Sequence, residues 1–400
     1  MPVRQITDAI STVGILNPIM RIFDVVMRTD YGTTYNSYIV RGKDKTALIE
    51  TCHLTYFDQY LENIRAVCPP EEIDYIILNH CEPDHTGVMA RLTELCPHAE
   101  ILVSQAGSLY IRHITNNPDL PVRVVKDGET LDLGGHTLQF RMAPFLHWPD
   151  SMFTWCAEDK TLFSCDFFGS HYCEPHVFDT AIKYPAKYRD ALKGYYDAIF
   201  GPFKPYVLKG IEKINDLDIS FICTSHGPVL TKEGLIGDVI EQYRQWSQPV
   251  QKTGRDIPVF FCSAYGNTGL LAEAIAAGIR ETLPDARVTV YDINDHDMAY
   301  LQAQLNESDA FAIGSPTINS DAVPPVWHLL SGVDAINNKK KPALVFGSFG
   351  WSGEAIPGII ARLKGLRMAV FEDGYKINFV PVQADLDEAT ALGRRFAESL

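Results

Sequence analysis

The run Asn79-His80-Cys81-Glu82-Pro83-Asp84-His85-Thr86-Gly87 constrains this chain more than any other feature, because it sets two imidazoles and two carboxylates within six residues. Directly before it lies Ile73-Asp74-Tyr75-Ile76-Ile77-Leu78, an aliphatic and β-branched stretch that reads as a buried strand. Such a strand delivers the four donors to the rim of a sheet. A binuclear metal site needs roughly six to eight protein donors, so matching residues should recur at the ends of other apolar strands. Three do: His147 follows Met142-Ala143-Pro144-Phe145-Leu146, Asp166 follows Thr161-Leu162-Phe163-Ser164-Cys165, and His226 follows Phe221-Ile222-Cys223-Thr224-Ser225. The remaining histidines, 53, 98, 113, 136, 176, 296 and 328, lack such company and read as surface or structural residues.

This pattern, His-x-Glu-x-Asp-His with a later His, an Asp and a final His, resembles the metallo-β-lactamase superfamily, whose fold is an αββα sandwich around two metals. Zinc hydrolases of that superfamily usually carry His where this chain has Glu82. A mixture of Asp, Glu and His suits iron better than an all-imidazole set, and the Glu version marks the flavodiiron proteins. Carried over, the resemblance implies His80, Glu82 and His147 on one iron, Asp84, His85 and His226 on the other, and Asp166 as the bridge. His85 is the seventh ligand in this set, at a position that some members leave to water. Cys81 alternates away from the donors and is assigned no role.

From Asp256 the pattern changes. Ile257-Pro258-Val259-Phe260-Phe261-Cys262 reads as a buried strand, Ser263-Ala264-Tyr265-Gly266-Asn267-Thr268 as a phosphate loop, and Leu270 to Leu283 as a helix. Hydroxyls and backbone N–H groups at a helix N-terminus suit a monophosphate dianion, and the absence of Lys excludes a Walker loop. Two further loops follow apolar strands, Ser315-Pro316-Thr317-Ile318-Asn319 and Ser348-Phe349-Gly350-Trp351-Ser352-Gly353. In an open parallel sheet, loops beyond the carboxyl ends of the strands meet at a topological switch point. The segment resembles flavodoxin, which implies a doubly wound parallel sheet holding FMN, with Trp351 available to stack on the flavin.

The expected organisation is therefore α/β throughout: a metallo-β-lactamase-like domain over 1–250, a linker over Gln248–Arg255, and a flavodoxin-like domain over 254–400. A net charge of −15 argues against nucleic acid as a partner, since phosphate backbones call for clustered Lys and Arg. Nine cysteines without a Cys-x-x-Cys read as reduced thiols and leave no rubredoxin or zinc-ribbon site in the chain. With no signal peptide and no run of about twenty apolar residues, a cytoplasmic location and no membrane partner are expected.

Resemblance to the flavodiiron proteins covers about residues 5 to 395 and implies an enzyme that reduces O2 to water or NO to N2O. Electrons would pass from a donor to FMN and then to a diiron site. A bias toward O2 is expected; the alternatives are a mainly NO-reducing enzyme or a zinc hydrolase fused to a flavodoxin. Tyr195 and His171 are expected beside the metals as supporting groups. Where the family often shows Arg-x-Phe-His-Gly, this chain has Arg21-Ile22-Phe23-Asp24-Val25, so Asp24 should alter the polarity of the pocket. The family also implies a head-to-tail homodimer, alone or as a dimer of dimers, with one subunit's FMN facing the other's irons. With the chain ending at Leu400, a separate carrier such as rubredoxin is the expected donor.

Overall fold

The computed structural model describes residues 3–249 and 253–400, and the chain divides into two compact units, one ending at Pro249 and one running to Leu400. Of the stretch expected as linker, residues 250–252 lie outside the described residues.

Alternation within strands builds the first unit. A seven-stranded sheet runs in the order Arg4–Gln5, Ile10–Thr12, Tyr38–Arg41, Thr46–Ile49, Tyr75–Leu78, Glu100–Val103, Val122–Val124. A six-stranded sheet runs Thr130–Asp132, Thr137–Met142, Met152–Cys156, Thr161–Cys165, Phe221–Thr224, Leu230–Thr231. Successive side chains point to opposite faces of a strand. Ala47, Ile49, Ile77 and Leu102 thus pack against Leu138, Phe140, Met152 and Phe163 of the other sheet. Their neighbours Leu48, Ile76, Leu78 and Val103 pack outward on Tyr60, Ile64, Leu92 and Ile111. On the far side Phe153, Leu162 and Ile222 meet Leu192, Val207, Ile211 and Val239. Four layers result, αββα, and strands buried on both faces are uninterrupted apolar runs for this reason. The strand expected from Ile73 begins only at Tyr75, because Asp74 turns its carboxylate to the Thr46 N–H at 2.8 Å and to Lys45 at 2.7 Å.

In the second unit five parallel strands stand in the order Val290–Asp292, Val259–Phe261, Phe311–Gly314, Pro342–Phe349, Ala369–Asn378. Numbered by chain position this is 2-1-3-4-5, the flavodoxin-like order, with its switch point between the first and third strands. One face carries helices Met298–Glu307, Pro324–Ser331 and Ala355–Gly365, and the other Asn267–Thr282 and Gln383–Glu398.

Candidate functional site

The ligand loop works by a change of backbone. Glu82 is extended (φ −62°, ψ 144°), and Pro83 then starts the single helical turn Pro83–Thr86, a position where its missing N–H costs nothing. His80 and Glu82, two residues apart, point the same way, with Nε2 and Oε2 3.0 Å apart. Asp84 and His85, on the turn, point to a second spot, with Oδ1 and Nε2 3.3 Å apart. Between them Cys81 turns its thiol toward the Gly107 carbonyl, away from the donors.

Three distant segments complete the cluster. Asp166 follows its strand directly; its Oδ1 lies 3.1 Å from His85 Nε2 and 3.5 Å from His226 Nε2. Its Oδ2 lies 3.4 Å from His147 Nε2 and 3.7 Å from His80 Nε2. One carboxylate therefore faces two donor sets, His80/Glu82/His147 and Asp84/His85/His226. His226 stands two residues beyond its strand, whereas His147 stands five beyond its strand, which ends at Met142. Pro144 cannot donate to a ladder and Phe145 is left-handed (φ 67°), so the chain leaves the sheet before reaching the histidine.

Residues outside the donor set orient these ligands. The Nδ1–H of His80 donates to Asp150 at 3.1 Å, while Asp150 also accepts the Cys81 N–H at 2.7 Å. The Nδ1–H of His226 donates to the Thr34 carbonyl at 2.5 Å. Both bonds leave Nε2 free for a cation. Asn36 donates to the carbonyls of Thr224 and Gly227 at 2.9 and 2.8 Å, which pins the His226 loop to segment Thr33–Tyr35.

The donors fit a pair of metal ions and fit each other poorly. Both oxygens of Asp84, Oδ1 of Asp166 and Nε2 of His85 are buried without a hydrogen-bond partner, although the neighbouring donors are within 3.5 Å. Burial works against a charge on His85, yet Asp84 and Asp166 hold its pKa up at about 10. Burial likewise opposes charge on His80, and the bonds to Asp150 and Glu82 outweigh it. Filling the site with iron must displace those protons, so uptake should weaken as pH falls.

His171 and Tyr195 lie beside this cluster, their rings 5.0 and 6.0 Å from the His226 ring and 4.8 Å from each other. Burial, then the neighbouring His226, pushes the His171 pKa well below its usual value, so the imidazole is neutral. Its Nδ1 meets Thr33 Oγ1 at 2.8 Å. Asp24 sits at the turn of the hairpin Ile22–Phe23/Met27–Arg28, left-handed at φ 46°, and Phe23 covers His171 at 4.4 Å. Partial burial, then the charge of Glu82, raises the Asp24 pKa from 3.8 to about 6. An unfolded carboxyl ionises near pH 4, so between about pH 4 and 6 the folded metal-free protein holds the extra proton and loses stability as pH rises. Asp24→Asn should flatten that slope in thermal melts of metal-free protein; an equal Tm shift at every pH would refute the assignment.

In the second unit Gly266 is left-handed (φ 85°) and opens the 16-residue helix Asn267–Thr282. Ser263 Oγ is buried beside it without a protein partner, a hydroxyl that fits a phosphate oxygen. Thr268 is fully buried, its hydroxyl 2.9 Å from Ser348 Oγ, so these two share one proton network. A cavity of about 260 Å³ is lined by Thr317, Ile318, Asn319, Ser320, Gly350, Trp351, Ser352 and Glu354. Trp351 and Tyr265 are each 92% exposed, two unpacked aromatic planes. At Ser315 the hydroxyl donates to the Pro316 carbonyl at 2.8 Å and accepts the Val323 N–H at 3.2 Å, which braces the loop. The left-handed Gly353 lies against Lys376 and Phe349. Ala264 and Asn267 flank the loop's turn, while Pro316 is buried beneath the second loop.

Comparison with known proteins matches residues 33–227 to the ODP family beta lactamase model and residues 259–393 to the flavodoxin model. The chain is 53% identical over 401 residues to Flavo-diiron protein FprA2 of Clostridium acetobutylicum, covering 100% of each. It is 35% identical to the anaerobic nitric oxide reductase flavorubredoxin of Vibrio vulnificus, over 83% of this chain and 67% of that one. Among solved structures, rubredoxin oxygen:oxidoreductase from Desulfovibrio gigas superposes with a TM-score of 0.70 at 30% identity, over 99% of this chain and 98% of that one.

Proposed function

The chain belongs to the flavodiiron proteins, and from that premise we propose that it reduces O2 to water, and NO to N2O, at a non-haem diiron site fed through FMN. When bound, two irons supply electrons to a small diatomic, and FMN takes up electrons in pairs and releases them singly.

One observation carries the reading: the two oxygens of Asp166 face different donor sets, as a bridge between two cations requires. His80, Glu82 and His147 would hold one iron and Asp84, His85 and His226 the other. The hydrogen bonds from His80 to Asp150 and from His226 to Thr34 fix the rings that present Nε2. Glu82, with Asp84 and Asp166, makes the set rich in hard oxygen donors, which favours iron over zinc and speaks against a hydrolase. His171, with Nε2 uncommitted, and Tyr195 would offer hydrogen bonds on the side facing the His226 ring. For FMN, the loop from Ser263 to Thr268 would take the phosphate. Thr317, Ile318, Asn319 and the segment from Ser348 to Gly353 would flank the ring, with Trp351 or Tyr265 stacking on it.

The working form we infer is a head-to-tail homodimer or a dimer of such dimers, in which one copy's flavin faces the other's irons, because each chain keeps its two sites in separate compact units. No helix among the described residues is long and apolar enough to cross a membrane, and we place the protein in the cytoplasm with a rubredoxin-type carrier as donor. A mainly NO-reducing enzyme is the second reading, favoured by the similarity to a nitric oxide reductase flavorubredoxin. Gas consumption by iron- and FMN-loaded protein with reduced rubredoxin separates them. A higher kcat/KM for O2, with water as product, is the expected result; faster NO loss yielding N2O would favour the second reading. No turnover of either gas, or zinc in place of iron, would sink both.

A further inference from the structure

A cavity of about 150 Å³ leads inward beside the candidate metal centre, lined by Met27, Arg28, Thr29, Asp30, Tyr31, His171, Asp190, Ala191, Gly194 and Tyr195. Arg28 and Asp30 at one end are exposed, and the Tyr31 hydroxyl donates to Asp190 at 2.9 Å. His171 and Tyr195 at the other end are buried and lie against the His226 ring. Two of the lining residues carry a polar atom that is buried without any partner in the protein, Thr29 Oγ1 and His171 Nε2. Both side chains are more than nine-tenths buried. Orphaned polar atoms on residues that border a cavity with room for several waters are the setting in which proteins hold ordered water.

We propose that this cavity is a water-filled passage that carries protons from the surface to the metal pocket and product water back. The proposal rests on the gas-reductase reading. That chemistry needs such a route: O2 with four protons and four electrons gives two waters, and two NO with two protons and two electrons give N2O and one water. The electrons come from the carrier through FMN; the protons come from solvent. A polar lining favours water over an apolar gas. Thr29 Oγ1 is the first hydrogen-bonding stop and His171 the last, its ring held by the Nδ1 contact to Thr33. Neither needs to change charge, since protons pass along a hydrogen-bonded file of waters.

Gly194 and Ala191 stand on one face of helix Pro185–Tyr195, and a Cβ at Gly194 would meet no atom within 4 Å. Gly194→Leu and Ala191→Leu, both on the cavity's lining, add bulk to it, and at Gly194 no neighbouring atom has to move for the new Cβ. Gly237→Leu, equally open but on helix Ile236–Trp246, is the control. We expect unchanged iron and FMN content, a KM for O2 within error of wild type, a kcat lower by about tenfold and a larger solvent deuterium isotope effect in both filled variants. The control should match wild type. A high-resolution crystal structure of wild-type holoenzyme should show ordered waters joining Thr29 Oγ1 to His171 Nε2, displaced in the variants. A dry wild-type cavity would overturn the proposal even if a variant failed to fold. So would a filled cavity with unchanged kcat, or a raised KM at constant kcat, which would make it a gas route. Wild-type protein inert toward both gases would instead refute the reductase reading, while the water structure would still report on the passage.

Discussion

Asp166→Ala is expected to lower gas reduction on the order of 10³-fold or more and to leave fewer than two irons per chain, with FMN content unchanged. Asp166 is buried, and its carboxylate lies within 3.7 Å of four imidazoles. Removing it takes away the one anion common to both donor sets, and a buried cation without its counter-charge is strongly disfavoured. Asp166→Asn keeps the volume and removes only the charge, so it should lose iron as well; a cavity effect alone would spare it. Iron and flavin assays on the same preparation decide the matter. Two irons per chain and wild-type turnover in the Ala variant would refute the bridging assignment.

The second large effect lies in the flavin-binding unit. Helices Asn267–Thr282 and Gln383–Glu398 cross at two glycines: a Cβ on Gly278 would strike the Thr390 carbonyl, and one on Gly393 the Ile275 carbonyl. Main chain rather than a flexible side chain receives the clash, so there is little to relax. At an exposed helix position, replacing Gly by Ala stabilises by about 1 kcal/mol. Here the sign reverses, and Gly278→Val should cost about 3 kcal/mol or more. For a unit of this size that is a fall of roughly 6–12 °C in the flavin unit's melting transition. FMN retention should drop while iron content holds, because the donor residues all lie before Pro249. An unchanged transition, or parallel loss of iron, would contradict this account.

Both folds were legible because their signals are local and periodic. The apolar runs 73–78, 161–165, 221–225 and 257–262 contain the strands 75–78, 161–165, 221–224 and 259–261, and the donors that follow the first three are chemically unusual at that density. All seven donors singled out in the chain lie in one cluster. Other features were not legible. Asp150 supports His80 across 70 residues with no pattern that marks it, and the pairing of Thr34 with His226 across 192 residues is not readable from either segment. The latter contact uses a main-chain carbonyl, which every residue possesses. The bonds that the Ser315 hydroxyl makes to Pro316 and Val323 were likewise not readable from its type and loop.

By itself, then, the sequence determined which chemistry the chain can carry and in what order its strands, ligand loop and phosphate loop occur, because residue type and spacing of two or four positions are properties of adjacent residues. Only the tertiary structure decided that one oxygen of Asp166 faces each donor set, that Asp24 stands beside Glu82, and that Thr29 and His171 share a cavity. Those facts depend on how segments far apart in the chain pack, and packing is set by the shape and burial of whole layers, which local pattern does not encode.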